Sequence, residues 1–366
     1  HDVRAVIADA IENPPTQEEI DREVAELDVG FQVPVEQRRI LPGSKLADDL
    51  VNALDIRETV AGPEDVLRIF RESKPMFTPA KVLEHSRQLF SGTVTRALFS
   101  TQKAGGVTDE ALRQALMAPI TPDASTRSAS NAPQVSFDTL PAIGKPQKAV
   151  SDQPTGLLDI EQLNFANGVK VLLWPVQEEP GRVTVKVRFG GGTRAMAAKD
   201  APYLGLANYA LVGSGLATLG QEDLDRISTG RKMGFDFDVQ DASFVFTAET
   251  RPQDLADQLY LFAAKLDLPR WDPSPFLRAK AAAKIQYDTF ATSPQGVLNR
   301  DLTFYQRGKD PRFGTATPAQ IEATTAKGFK AVWGKALASG PVEVQIYGDF
   351  DKTAAIAALE KTFGAL

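Results

Sequence analysis

The chain of 366 residues exceeds the usual size of a single hydrophobic core, which predicts two or three domains. Hydrophobic residues make up 43% and charged residues 24%, values typical of a globular protein that exclude a collagen-like or disordered chain. The net charge of -6 argues against a nucleic-acid partner, because phosphate binding needs a concentrated cationic surface and the basic residues here are scattered.

The sequence contains no cysteine, which excludes disulfides, thiolate metal ligands and thiol nucleophiles. No run approaches the roughly 20 consecutive apolar residues of a membrane-spanning helix, so no membrane span is expected. Because the chain begins at His1 and runs directly into an uncapped apolar stretch, we expect it to be a fragment of a longer protein. The absence of cysteine fits either the cytoplasm or a bacterial periplasm and leaves the compartment open.

The first part of the chain predicts mainly helices. Thr16-Gln17-Glu18-Glu19 has the form of a capping box, in which Thr caps backbone donors and Glu reaches back. Ile20, Val24 and Leu27 follow as one apolar stripe of an amphipathic helix. A strand of β-branched and apolar residues is predicted for Thr93-Val94-Thr95-Arg96-Ala97-Leu98-Phe99. Further helices are predicted for residues 43–55, 63–72, 78–90 and 109–116.

Residues 119–156 are rich in Pro, Ser, Thr, Ala and Gln and show little apolar periodicity. Such composition is typical of a linker. The segment is too long for an ordinary loop inside a compact domain, which favours a connection between two separately packed bodies.

The second body, residues 157–366, predicts strands interleaved with pairs of helices. Asn167-Gly168 between two apolar runs predicts a hairpin, because both residues tolerate positive φ. This order indicates an α+β fold with helices on one face of an antiparallel or mixed sheet. Strands are predicted for residues 163–165, 169–174, 183–189, 235–239, 243–247 and 342–347, and helices for residues 203–212, 221–233, 253–266, 274–290 and 352–363, with another after Pro318.

A weak internal repeat is also visible. Leu89-Phe90-Ser91-Gly92 precedes a predicted strand, turn and helix, and Leu337-Ala338-Ser339-Gly340 precedes the same order. The helix before each of these two segments begins with a similar tripeptide, Thr78-Pro79-Ala80 in the first case and Thr317-Pro318-Ala319 in the second. A duplicated domain leaves this kind of ordered match, and coincidence is the alternative.

Five motifs occur in order between Phe165 and Leu366. They are Phe165-Ala166-Asn167-Gly168-Val169-Lys170-Val171, Val187 to Arg194, Gly205-Leu206-Ala207-Asn208-Tyr209, Val344 to Phe350, and Lys361-Thr362-Phe363-Gly364. With these motifs in this order, this part of the chain resembles peptidase domains of the M16 (pitrilysin/insulinase) family. The resemblance implies the fold that this family shares with processing peptidases and LuxS-like proteins, and a tandem repeat of the domain.

The resemblance also implies where a catalytic zinc would bind. Active members carry His-x-x-Glu-His on a helix, with two histidine ligands and a Glu that activates the metal-bound water. The corresponding positions here are Asn208, Leu211 and Val212. A third ligand, a Glu, is expected within residues 274–290, where Asp288 is the only nearby carboxylate. We therefore predict no catalytic residue, metal site or cofactor in this domain, and no zinc-dependent proteolysis by this chain alone.

The resemblance further implies a domain order. Residues 1–118 correspond to the mostly helical end of a preceding domain, residues 119–156 to the linker, and residues 157–366 to a complete inactive domain. Because tandem members keep zinc only in the first copy, the resemblance implies a zinc-containing catalytic domain upstream. The leading interpretation is the inactive wall of a peptide-enclosing chamber, with that upstream domain or a partner subunit and a peptide substrate as partners. The alternative is a catalytically dead scaffold or partner subunit. A periplasmic location follows only by analogy with bacterial members.

Four further signals have structural alternatives. His85 beside Glu84 has no second metal ligand nearby, so an ordinary surface histidine is favoured. Gly190-Gly191-Gly192 lacks the context of a phosphate loop and favours a turn. Lys280 and Lys284 favour a solvated helix face over an anion site. Four aromatic residues of the predicted strands favour core packing over a peptide groove: Phe235, Phe237, Phe244 and Phe246.

Overall fold

The computed structural model describes residues 2–92, 96–99, 105–122, 136–137 and 140–366. The chain forms two compact units. The first is drawn from His1–Gln32 and Ala61–Gln134, and the second from Val33–Val60 and Val135–Leu366. The sequence had placed residues 33–60 with the first body, whereas they belong to the second unit.

Helices account for the regular structure described before residue 140. The predicted capping box is present: the backbone N–H of Thr16 donates to Glu19 Oε2 at 2.7 Å, and the N–H of Glu19 donates to Thr16 Oγ1 at 3.2 Å. The helices are α1 (Asp2–Glu12), α2 (Gln17–Glu36), α3 (Gly43–Asp55), α4 (Pro63–Ser73), α5 (Pro79–Leu89) and α6 (Asp109–Met117). The helices predicted from residue 16 onward are therefore confirmed, with small differences at their ends.

Ionic and aromatic contacts join α2 to α4 in the first unit. The guanidinium of Arg71 donates to both carboxylate oxygens of Asp28, at 3.0 and 2.8 Å. Hydrogen bonds from Arg71 and from the nearby Lys74 lower the pKa of Asp28 to about 2. Beside them the rings of Phe31 and Phe70 lie 4.8 Å apart. Of the strand predicted for residues 93–99, residues 93–95 lie outside the described residues and residues 96–99 form no strand.

A mixed seven-stranded sheet forms the centre of the second unit, in the order β1-β2-β3-β7-β4-β6-β5. The pair β3–β7 is parallel and the other pairs are antiparallel. The strands are β1 (Ser151–Pro154), β2 (Glu161–Asn164), β3 (Lys170–Pro175), β4 (Val183–Phe189), β5 (Asp236–Val239), β6 (Phe244–Thr250) and β7 (Val342–Gly348). The predicted Asn-Gly hairpin joins β2 to β3. β1 was not predicted and lies inside the segment interpreted as a linker.

The helices of this unit differ from the predictions at several places. The helix predicted for residues 203–212 is a single turn, and the one predicted for residues 221–233 ends at Ser228. The helices Gly192–Ala195, Pro294–Gln306 and Ala326–Leu337 were not predicted. The helices are α7 (Gly192–Ala195), α8 (Ala207–Ala210), α9 (Gln221–Ser228), α10 (Leu255–Asp267), α11 (Pro273–Phe290), α12 (Pro294–Gln306), α13 (Pro318–Ala323), α14 (Ala326–Leu337) and α15 (Lys352–Lys361). No described helix combines the length and the apolarity needed to cross a membrane.

One face of the sheet carries the core. Along β4, Val183, Val185, Val187 and Phe189 are buried, while the alternate Lys186 is exposed. This alternation is the pattern of a sheet covered on one face and solvated on the other. The predicted α+β class with a mixed sheet is therefore confirmed.

Aromatic rings fill the space between the sheet and the helices. The ring of Phe246 lies 4.7 Å from that of Phe189 and 5.6 Å from that of Phe262 on α10. Trp333 on α14 is fully buried, and its ring lies 5.0 Å from that of Phe244. The core interpretation of these aromatic residues is confirmed.

Candidate functional site

A cleft of about 380 Å³ opens beside α8, which we call the inner cleft. Its walls come from the segment before α8, the edge strand β5, and helices α11 and α12. Asn208, the first predicted motif position, lines it, and Gln286 of α11 and Asn299 of α12 line it as well. The volume falls within the range of ligand-binding pockets in proteins.

A second cleft of about 570 Å³, the outer cleft, lies beside the inner one. The two clefts share Ala201, Pro202, Arg300, Gly314, Thr315 and Ala316. They are therefore neighbouring clefts with common wall residues, and we call the pair the groove from here on.

Asn208 stands in the first turn of α8 with its side chain exposed. No hydrogen bond joins its amide, or that of Gln286, to another described side chain or backbone group. Each of these amides offers both a donor and an acceptor, so the inner cleft can hydrogen-bond to a ligand.

Leu211 and Val212, the other two predicted motif positions, do not line the groove. The helix ends at Ala210, although the backbone N–H groups of Leu211 and Gly213 still donate to the carbonyl oxygens of Ala207 and Tyr209, at 2.9 and 3.0 Å. Leu211 is only 5% exposed and belongs to the main hydrophobic core, against which Val212 also packs. Of the three motif positions, therefore, only Asn208 faces the groove, while the other two pack in or against the core.

The expected third ligand position is also unsuited to zinc. Gln286 is the polar residue of α11 that lines the inner cleft, whereas Asp288 is exposed and does not line it. Zinc is bound in proteins by His, Cys, Asp and Glu. Among the residues that the structure describes, no three such side chains come together. The residues at the implied zinc site therefore do not fit the metal.

A buried lysine closes the turn that follows α8. The ammonium of Lys265 on α10 donates to the backbone oxygens of Leu211, at 3.1 Å, and of Ser214. It also lies 4.7 Å from the centre of the Phe235 ring. Burial lowers the pKa of Lys265 to about 7, against the opposing charges of Asp225 and Asp272.

Lys265 was not among the residues predicted from the sequence. The available signal was a cation inside the otherwise apolar stretch Leu259 to Leu266 of a predicted helix. A buried cation of this kind needs hydrogen-bond acceptors, and the turn after α8 supplies them.

The remaining candidates have ordinary structural roles. Lys284 pairs with Glu322 at 2.9 Å, and Lys280 donates to the backbone oxygen of Glu322 at 2.7 Å, so neither is free for an anion. Gly192 has a φ of +61°, and a Cβ there would lie 2.4 Å from Gln240 O, as expected for a tight turn. His85 is an exposed residue of α5.

The charged side chains of the groove are mostly basic. Arg300 forms two hydrogen bonds of 2.8 Å with Asp301, and Arg312 is held by Asp310 outside the groove. Lys199 and Lys309, in the outer cleft, form no ion pair with a described carboxylate. The groove is therefore a cationic region on a chain of negative net charge.

Comparison of the sequence with family models and with curated proteins gives no match. Solved structures do match. The periplasmic protease PqqL from Escherichia coli aligns with a TM-score of 0.55 and 16% identity over 100% of this chain. A mutant of the ferredoxin protease FusC, solved with Arabidopsis ferredoxin, aligns with a TM-score of 0.53 and 16% identity over 98% of this chain. A protease from Helicobacter pylori aligns with a TM-score of 0.50 and 17% identity over 57% of this chain and 51% of that one.

The fold is that of the M16 peptidases. The resemblance inferred from the five sequence motifs is therefore confirmed at the level of the fold. The chain spans 40% of the length of PqqL and 40% of the length of FusC. It accordingly represents an M16-like region and not the extent of either whole protease.

Proposed function

We propose that this chain is a non-catalytic region of an M16-like zinc endopeptidase, in which it forms one wall of a peptide-enclosing chamber. The observation that carries the proposal is which residues line the cleft beside α8. The cleft is open and lined by Asn208, while Leu211 and Val212 are packed away from it. A domain that keeps an M16-like fold and a cleft without metal ligands can hold a peptide but cannot activate water through zinc.

An exposed apolar stripe on α12 supports a partner for this domain. Leu298, Leu302 and Tyr305 are 48%, 45% and 62% exposed, and their i, i+4, i+7 spacing places them on one face of the helix. Asn299 and Thr303, on an adjacent face of the helix, line the groove. In the proposed assembly, the stripe packs against the catalytic domain while the groove faces the peptide.

The neighbouring structures support the proposed substrate and compartment. PqqL is described as a periplasmic protease, and FusC was solved with a protein, ferredoxin. By this analogy we assign a polypeptide substrate and a periplasmic location to the parent protein, with zinc in its catalytic domain.

The proposal is tested by metal analysis and a cleavage assay on the purified chain. Because the motif positions offer no ligand set, we expect no stoichiometric zinc and no chelator-sensitive cleavage of an unfolded polypeptide. Stoichiometric zinc together with cleavage that a chelator abolishes would overturn it.

The alternative, a catalytically dead scaffold, is distinguished by the parent protein. Zinc-dependent cleavage by the full-length parent supports the enzyme region, and an inactive parent supports the scaffold. The protease neighbours at TM-scores of 0.55 and 0.53 favour the first.

A further inference from the structure

The outer cleft carries two cations that no described carboxylate neutralises. Lys199 lies in the segment before α8, and Lys309 follows the C-terminal end of α12. Both side chains are exposed, and both line the same cleft. The carboxylate that shares the cleft, Asp301, already accepts two hydrogen bonds from Arg300. An anionic group entering the outer cleft therefore meets two lysines that are not paired with a described carboxylate.

The inner cleft complements this charge with neutral polar groups. Asn208 and Gln286 present amides without a described partner, and the hydroxyl-bearing Thr303 of α12 also lines this cleft. Amide side chains match the donor and acceptor pattern of a peptide backbone. The carboxylate there, Asp238, accepts a hydrogen bond from Gln240 at 3.0 Å.

The two clefts have wall residues in common, among them Pro202, Arg300 and Gly314. A ligand that fills both must be elongated, with hydrogen-bonding groups along one part and negative charge along the other. Aromatic side chains, Phe290 in the inner cleft and Phe304 in the outer, supply apolar surface to each part.

We propose that the groove binds an extended peptide segment rich in Asp and Glu, whose backbone contacts Asn208 and Gln286 and whose carboxylates pair with Lys199 and Lys309. The proposal rests on the proposed function, since it names the class of peptide that the non-catalytic wall holds. Charge complementarity selects this occupant, because an acidic segment is attracted to the groove and repelled by the net negative charge elsewhere on the chain.

Fluorescence anisotropy with three capped, dye-labelled octapeptides tests the proposal. The peptides alternate Ala with Glu, with Gln or with Lys and are titrated with the intact chain at low salt. We expect the Glu peptide to bind about three- to tenfold tighter than the Gln peptide, which corresponds to two exposed ion pairs. The Lys peptide should bind most weakly. The preference should decrease as salt is raised, since exposed charges are screened.

Two double variants locate the site. Lys199→Glu with Lys309→Glu should abolish or reverse the preference for the Glu peptide. The matched control, Lys170→Glu with Lys186→Glu, changes the net charge equally at exposed positions on β3 and β4 outside the groove, and it should retain the preference. Thermal unfolding checks that both variants are folded.

Equal affinity for the Glu and Gln peptides, or no measurable binding of any peptide, would overturn the groove assignment. An equal loss of the preference in both double variants would overturn it as well, because it would show an effect of net charge alone. None of these results bears on zinc content or cleavage, so failure of this inference is separable from failure of the proposed function.

Discussion

Leu211 occupies the motif position that would carry the catalytic Glu, yet it is a core residue. Its side chain is 5% exposed. Leu211→Glu removes buried apolar contacts and places a carboxylate in the core, so the free energy of unfolding should fall by about 3 kcal/mol or more. Urea unfolding followed by circular dichroism measures this loss.

The matched control for that variant is Tyr209→Glu in the same segment. Tyr209 is 61% exposed, so its replacement should change the free energy of unfolding by no more than about 0.5 kcal/mol. If Leu211→Glu were as stable as Tyr209→Glu, the assignment of Leu211 to the core would be wrong.

Lys265 predicts a specific pH dependence of stability. Its pKa is lowered to about 7 by burial, so between pH 7 and about pH 10 the unfolded chain binds a proton that the folded chain does not. The contribution of Lys265 to the free energy of unfolding therefore rises with pH across this window and is constant below it. From pH 7 to pH 9 the rise should be about 2 kcal/mol.

Lys265→Met isolates this contribution. The variant loses the titration and leaves the backbone oxygen of Ser214 without its ammonium donor. The stability difference between the wild type and the variant should therefore widen from pH 7 to pH 9, as measured by urea unfolding at each pH. A difference that stays constant over that range would show that Lys265 titrates normally.

At the scale of elements, α3 and α10 make a matched pair of 13-residue helices. No residue of α3 is buried, and Leu46, Leu50 and Leu54 are 49%, 45% and 62% exposed. α10 buries nine residues. Because an isolated helix of this length is marginal in water, packing decides the stability of each.

We therefore expect backbone amides of α3 to exchange with solvent at least about 100-fold faster than those of α10. Hydrogen exchange followed by mass spectrometry measures both helices in one experiment. Comparable protection of the two would indicate that a second molecule covers α3 in solution.

Elements with a local cause could be predicted from the sequence, whereas elements that depend on tertiary contacts could not. The strands β3 and β4 follow alternating or apolar runs, and the Asn-Gly hairpin has a local cause. β1 lacks such a pattern and forms through pairing with β2. The helix predicted for residues 203–212 has suitable residues, but tertiary contacts, including those of Lys265, hold the chain in a turn after Ala210.

The missed helix α12 had a local start signal, because Ser293 caps it by accepting from the N–H of Gly296 at 3.0 Å, and Pro294 follows. Its exposed apolar stripe departs from the usual pattern of a surface helix.

At the candidate site, the motif alignment identified Asn208. Lys199 and Lys309 are 110 residues apart in the chain, so only the fold reveals that they share a cleft.

At the scale of the whole molecule, the two compact units predict two separable unfolding events. The ring of Phe246, fully buried in the second unit, lies 4.7 Å from both Phe189 and Phe235. Phe246→Ala should lower the stability of that unit by about 3–5 kcal/mol. Helices α4 and α5 belong to the first unit, so their hydrogen-exchange protection should be unchanged.

The reciprocal variant completes this test. Phe70→Ala removes the ring contact with Phe31 and should reduce hydrogen-exchange protection in α4 while leaving that of α10 and β6 unchanged. The reason is that each unit has its own set of internal contacts, so a cavity is expected to destabilise the unit that contains it. If either substitution reduced protection in both units to the same extent, the chain would unfold as one cooperative body, and the division into two units would not describe its stability.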